Sequence, residues 1–207
     1  MKEQHIFFKA SDLSLEGLYI ENDGPGGVVI THPHPQMGGA MSNNVVEALV
    51  FTFRECGYST LRFNFRGVGR SEGQYDNGRG EQEDVLGAVA YLAGRGREVK
   101  LAGYSFGTWV NARVISRQKG FSDAIFVSPP VGMMKFDTTG LKENVGLIVC
   151  GDRDPFCPVV TLREFAEKLG CSLEIIAGAD HFFFGDEPSI ISHIGNYLRK
   201  LMAASCG

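Results

Sequence analysis

A serine, a carboxylate and a histidine can together cut acyl bonds, and this 207-residue chain places one of each in loops that follow apolar runs. The serine is Ser105, in Gly103-Tyr104-Ser105-Phe106-Gly107. It stands between a strand-like segment, EVKLAGY, and a helix-like one, FGTWVNARVISR. Glycine two positions before and two after a serine suits a strand-to-helix turn too sharp for side chains. Such a turn thrusts the hydroxyl out at the top of a sheet. It also aims the backbone N–H of Phe106 into the same space, at the start of a helix. An ordinary Gly/Ser loop has the same composition but no reason to sit at that junction.

The acid is sought in GDRDPFCP, after the apolar run GLIVC. Asp154 is the better placed, because it stands further from the strand and Pro155 fixes the turn behind it. Asp152 is the alternative, and a turn-forming or helix-capping role is open to either. The histidine is sought in GADHFFFG, where His181 lies between a strand and the final helix. His5 falls in the first strand and His193 in the last helix, so neither is well placed. Asp180 reads as a local loop anchor, since adjacent side chains on an extended loop point apart. The order Ser105, Asp154, His181 is the serine–acid–histidine order of one known arrangement of this machinery.

A tetrahedral oxyanion needs two backbone donors. Phe106 supplies one. The second is expected from THPHPQMGG, after GGVVI. Pro33 and Pro35 have no N–H, which leaves His34, with Gln36 next. His32 and His34 also form an H-x-H pair, but no further cluster of His, Cys and carboxylates accompanies it, so no metal is expected. FRGVGRSEG resembles a dinucleotide fingerprint, but its third glycine should fall at position 72, which is Glu72. It reads as a tight loop beside the site, with Arg66 as an exposed or ion-paired anchor. No cofactor is expected.

The elements that must hold these loops alternate in hydrophobic period. HIFFKA and LEGLYIE read as an edge hairpin. GGVVITH, STLRFNF, EVKLAGY, DAIFVS, VGLIVCG and CSLEIIAG read as further strands. Helices are expected at Val45 to Phe53, in EQEDVLGAVAYL, FGTWVNARVISR and VTLREFAEKL, and at the end, where Ile190, Ile194, Tyr197, Leu198 and Leu201 share a face. Alternating strands and helices, with strands apolar on both faces, call for a mostly parallel sheet covered on both sides. Ligands of such sheets bind beyond the carboxyl ends of the strands.

The length suits one domain, residues 1–207. A formal net charge of −4 gives no electrostatic reason to expect nucleic acid. The apolar run near the N-terminus, Ile6 to Phe8, is too short for a signal core or a membrane span. Five irregularly spaced cysteines (Cys56, Cys150, Cys157, Cys171, Cys206) without a CxxC fit free thiols in a reducing cytoplasm.

GYSFG, GDRDP and GADHFF, in that order, resemble the α/β-hydrolase superfamily. HPHPQMGG followed by FNFRGVGRSEG further resembles its small, lidless bacterial members, related to dienelactone hydrolases and to the serine aminopeptidase-like group. The resemblance runs over nearly the whole chain. It implies an α/β-hydrolase fold with a mostly parallel sheet of about seven or eight strands and helices on both faces. Dienelactone hydrolases typically use a cysteine nucleophile, whereas position 105 is serine. Only VGMMKFDTTGLKEN separates DAIFVSPP from the next strand, too little for a helical cap domain. The expectation is therefore an open site that hydrolyses small carboxylic esters through an acyl-enzyme on Ser105. His181 would act as base, Asp154 as its orienter, and the Phe106 and His34 N–H groups as the oxyanion hole. Met133, Phe156 and Phe182, with Phe106 and Met134, are expected to wall the substrate site. A thioesterase or small peptidase on the same triad is the runner-up, and a non-catalytic binding protein on a hydrolase scaffold the reading from another class. The expected partner is a small-molecule ester, with neither nucleic acid nor membrane, and the expected state a monomer or homodimer.

Overall fold

The computed structural model describes residues 2–24 and 26–205; Cys206 therefore lies outside the described residues. Eight strands form one sheet: β1 (Gln4–Ala10), β2 (Leu13–Ile20), β3 (Gly26–Thr31), β4 (Ser59–Phe63), β5 (Glu98–Tyr104), β6 (Ala124–Val127), β7 (Val145–Gly151) and β8 (Ser172–Ile176). Five helices connect or follow them: α1 (Asn44–Glu55), α2 (Gly80–Ala93), α3 (Phe106–Arg117), α4 (Val159–Leu169) and α5 (Glu187–Ser205). The strand order is β1-β2-β4-β3-β5-β6-β7-β8. β2 pairs antiparallel with both β1 and β4, and the strands from β4 to β8 run parallel.

The two-sided burial read from the sequence is visible residue by residue. In β3, Val28 and Ile30 pack on one face with Val45, Leu49 and Phe53 of α1 and Ile190, Ile194 and Leu198 of α5. Val29 points the other way, into a cluster with Val85 and Leu92 of α2, Val110 of α3 and Leu162 of α4. A two-residue side-chain period makes this division. α1 starts where the Asn43 side chain accepts the N–H of Val45. Its last turn is followed by Gly57 in the left-handed region, at φ +84°.

Two departures from the sequence reading concern segments short in hydrophobic signal. β2 begins at Leu13 because Ser14 and its neighbours pair with β1 in register, Lys9 opposite Ser14. Pro35–Met37 form a single 3-10 turn in the loop after β3. No inserted helical domain separates β6 from β7, where residues 128–144 run as turns and loop. The order in which strands are added reverses at β3, with β4 on one side and β5 on the other. That reversal opens a crevice at the carboxyl ends of β3 and β5.

Candidate active site

Ser105 stands at the reversal point, as the residue between β5 and α3. Its backbone is at φ +52° and ψ −121°, a conformation that costs a non-glycine residue of order 1–3 kcal/mol. Neighbouring bonds hold it there. Its N–H donates to Val127 O at 2.9 Å, and its carbonyl accepts the Thr108 hydroxyl at 2.6 Å. The flanking glycines have a steric cause. A Cβ at Gly103 would lie 2.5 Å from Thr31 Oγ1, and one at Gly107 would lie 2.7 Å from Thr31 O and 2.8 Å from His32 O. The end of β3 thus passes directly against the turn.

The loops after β7 and β8 bring the other two groups to this serine. His181 Nε2 lies 3.0 Å from Ser105 Oγ, and His181 Nδ1 lies 2.7 Å from Asp154 Oδ2. All three side chains are largely buried. Asp154 Oδ1 accepts the Phe156 N–H at 2.9 Å, which fixes the carboxylate plane. Burial by itself would raise the Asp154 carboxyl. The hydrogen bond and charge of His181, helped by Ser128 and Phe156, outweigh it and hold the group below the usual carboxylate range. The Tyr104 hydroxyl donates to His181 O at 2.7 Å and pins the histidine backbone.

The neighbouring acids do other work. Asp152 Oδ1 accepts the Gly178 N–H at 2.7 Å and ties two loops together. Asp180 Oδ1 accepts from Phe182 and Phe183, at 2.8 and 3.2 Å, and shapes its own turn. Of the other histidines, His5 pairs with Glu16 and His193 with Glu174, both away from the serine.

The loop after β3 is held by its own histidines. His32 is fully buried; its Nδ1 lies 2.7 Å from Pro33 O and its Nε2 accepts the Phe65 N–H at 3.0 Å. These partners define a neutral ring, and burial lowers its pKa to about 4. His34 Nδ1 accepts the Gln36 N–H at 3.2 Å, and its Nε2 lies 3.2 Å from the Tyr75 hydroxyl. With all four ring nitrogens engaged, the pair has no lone pair turned toward a shared metal. The Gln36 N–H is likewise committed, whereas among the described residues no acceptor faces the backbone N–H of His34 or Phe106. The two residues are neighbours, with ring centroids 4.8 Å apart.

Potential metal ligands do gather at Cys150, Asp154 and Cys157, all buried and with ligand atoms within 4.8 Å of one another. The Cys157 thiol donates to Pro129 O at 2.8 Å. Its hydrogen bond with Cys150, together with burial, pushes its pKa far up. A thiol so placed packs under the carboxylate and is not an activated nucleophile.

A cavity of about 210 Å³ opens over Ser105 and His181. Met133, Phe156 and Phe182 line it, as do His34, Phe106 and Met37. Met37, Met133 and Phe182 are 78, 67 and 50% exposed, and Phe184, 79% exposed, stacks on Phe182. Three of the eight large apolar side chains left exposed among the described residues thus rim one opening, and a fourth, Phe184, stacks on one of them. Sequence reasoning missed Tyr75 and Tyr104, whose hydroxyls reach loops 41 and 77 positions away. Nothing local marks them. Arg66 forms a two-nitrogen fork on buried Asp84, the closest contact 2.7 Å, and braces the loop after β4.

The comparisons agree with this geometry. No protein-family model matches the chain. It is 31% identical to the uncharacterized protein RP471 of Rickettsia prowazekii, covering 93% of this chain and 87% of that one. An α/β serine hydrolase homologue from Coxiella burnetii is 33% identical, with a TM-score of 0.86 over 95% of this chain and 97% of that one. XC6422 from Xanthomonas campestris, described as a serine hydrolase without a lid, is 25% identical, with a TM-score of 0.87 over 97% and 95% of the two chains. From its sheet order, its serine turn and these relatives, the chain belongs to the α/β-hydrolase superfamily, in its lidless type.

Proposed function

We propose that this serine hydrolase cleaves small carboxylic esters by acyl transfer through Ser105, with His181 as general base and Asp154 as the group that orients it. The observation that carries the reading is the continuous hydrogen-bonded line from Ser105 Oγ through His181 to Asp154. His181 Nε2 takes the Ser105 proton as Oγ attacks the carbonyl carbon. Asp154 holds the Nδ1–H tautomer and stabilises the imidazolium that forms. The Phe106 and His34 N–H groups receive the oxyanion, preset by a helix start and a proline-stiffened loop. His181 then protonates the leaving alcohol, and water releases the acyl group from Ser105 by the same steps. No step asks for a group beyond these side chains and water.

The apolar rim and the lack of a cap favour a compact, neutral acyl portion resting on Met133, Phe156 and Phe182. The serine nucleophile sets the chain apart from dienelactone hydrolases proper, and the buried thiols at 150 and 157 do not supply a substitute. Hydrolysis of 4-nitrophenyl acetate and butyrate by the purified protein, beside Ser105→Ala, tests the reading. Turnover that disappears in the variant supports it. Absence of turnover by a folded wild-type protein overturns it in favour of a binding protein on the same scaffold.

A further inference from the structure

A second cavity adjoins the first. It is a groove of about 860 Å³, and Met133 and Met134 line both spaces. Its floor is the exposed side of α3, the helix that begins at the serine turn. Trp109 and Arg113 lie four apart along it, and Trp109 in turn packs on the buried ring of Phe106 beside Ser105, so the three lead away from the serine. The Phe106 and Trp109 rings are 5.7 Å apart, and the Arg113 guanidinium lies 4.4 Å from the Trp109 ring centroid. Trp109 itself is anchored, its indole N–H donating to Lys135 O at 3.0 Å.

The charges facing the groove are unequal. Arg117 is engaged with Gln82 at 2.9 Å and with Glu83 at 3.5 Å. Asp137 is the carboxylate among the described lining residues; its Oδ1 accepts the Thr139 N–H at 2.9 Å, and it forms no ion pair with a neighbouring cation. Arg113 and Lys135 are exposed; Lys135 acts on Asp137 through its charge without closing an ion pair with it, so the cations Arg113 and Lys135 outnumber the single carboxylate among the described lining residues. Stacking on Trp109 holds the Arg113 guanidinium in one place, which lowers the ordering cost of using it.

We propose that the substrate is bipartite, with an apolar portion at the Ser105 opening and an anionic group, such as a carboxylate, on an arm that crosses Met133 and Met134 to reach Arg113 and Lys135. The rise of an α-helix puts position 113 about 12 Å along the axis from position 105, which sets the length of that arm. The proposal rests on the ester-hydrolase reading for what happens at Ser105. Recognition in the groove stands apart from turnover.

Trp109 is the chain's 1 tryptophan, so its emission reports the groove directly. Ser105→Ala protein is titrated with monoethyl suberate and with diethyl suberate, which places the anion or its neutral counterpart on the acyl arm. A parallel pair, the butyrate ester of 8-hydroxyoctanoic acid and its ethyl ester, places it on the alcohol arm. In at least one pair the anionic member shifts the emission at about fivefold lower concentration, the size one or two exposed charge contacts supply. The pair that responds tells which arm carries the charge. Adding Arg113→Met and Lys135→Met removes the preference, and high salt shrinks it. Equal or weaker binding of the anionic member in both pairs overturns the proposal, as does a preference that survives the double substitution. Failure of the hydrolase reading shows separately, as wild-type protein that does not turn over 4-nitrophenyl acetate.

Discussion

The turn at Ser105 and the loop after β3 face each other across the same opening, yet they are built by different means. The turn is shaped by backbone: five residues set its conformation, and the ends of β3 and β6 close around them. Its serine sits at φ +52°, and its two glycines exist because the end of β3 would collide with any Cβ. The β3 loop is fixed by side chains that reach far along the chain, His32 to Phe65 and His34 to Tyr75. Backbone strain concentrates on one side of the site and long-range polar contacts on the other. Damage to the first should remove chemistry; damage to the second should first remove stability and alignment.

The largest effect is expected where the triad meets the sheet. Asp154→Asn leaves packing nearly intact but offers His181 the wrong tautomer, so kcat for an aryl ester should fall by about 10⁴-fold. Steady-state kinetics with circular dichroism as a check on folding would show it. Gly107→Ala attacks the turn itself. The added methyl meets two backbone carbonyls of the β3 loop, so stability should drop by about 2–4 kcal/mol in urea unfolding. Activity should fall with it, by roughly 10²-fold, because the serine moves. A Gly107→Ala protein with normal stability and rate would erase the distinction between the two regions.

His32 sharpens the comparison from the other side. Its folded pKa, about 4, lies below the ordinary 6.5 because burial disfavours the charged ring. The unfolded chain therefore takes up the proton first as pH falls. Stability is whole above pH 6.5 and declines between about 6.5 and 4, by about 3 kcal/mol in total. In His32→Gln that part of the slope should vanish, measured as the difference between the two proteins' pH–stability curves. The smallest effect is expected at Asp152, where Asn keeps an acceptor for the exposed Gly178 N–H; activity should stay within about twofold of wild type.

The same contrast explains what the sequence made legible. The strands announced themselves by unbroken apolar runs such as Val28, Val29 and Ile30, buried on alternate faces. The turn was readable because steric demand writes itself as glycine at fixed spacing. Asp154 stood out from Asp152 by its distance from the strand, and the structure puts Asp154 beside His181. The braces were not readable. Asp84 is fully buried inside a helix whose acidic first turn looks like ordinary dipole complementarity, and only the fold reveals Arg66 as its partner. His32 suggested half of an H-x-H pair, because a histidine with both ring nitrogens engaged looks the same in sequence as one with a free lone pair.

Whether Ser105 is an activated nucleophile is read out by its reaction with a fluorophosphonate probe. Intact mass and peptide mapping of labelled wild-type protein should show one adduct, on Ser105, and none in Ser105→Ala. A folded protein that takes no label, or takes it at another residue, would contradict the account.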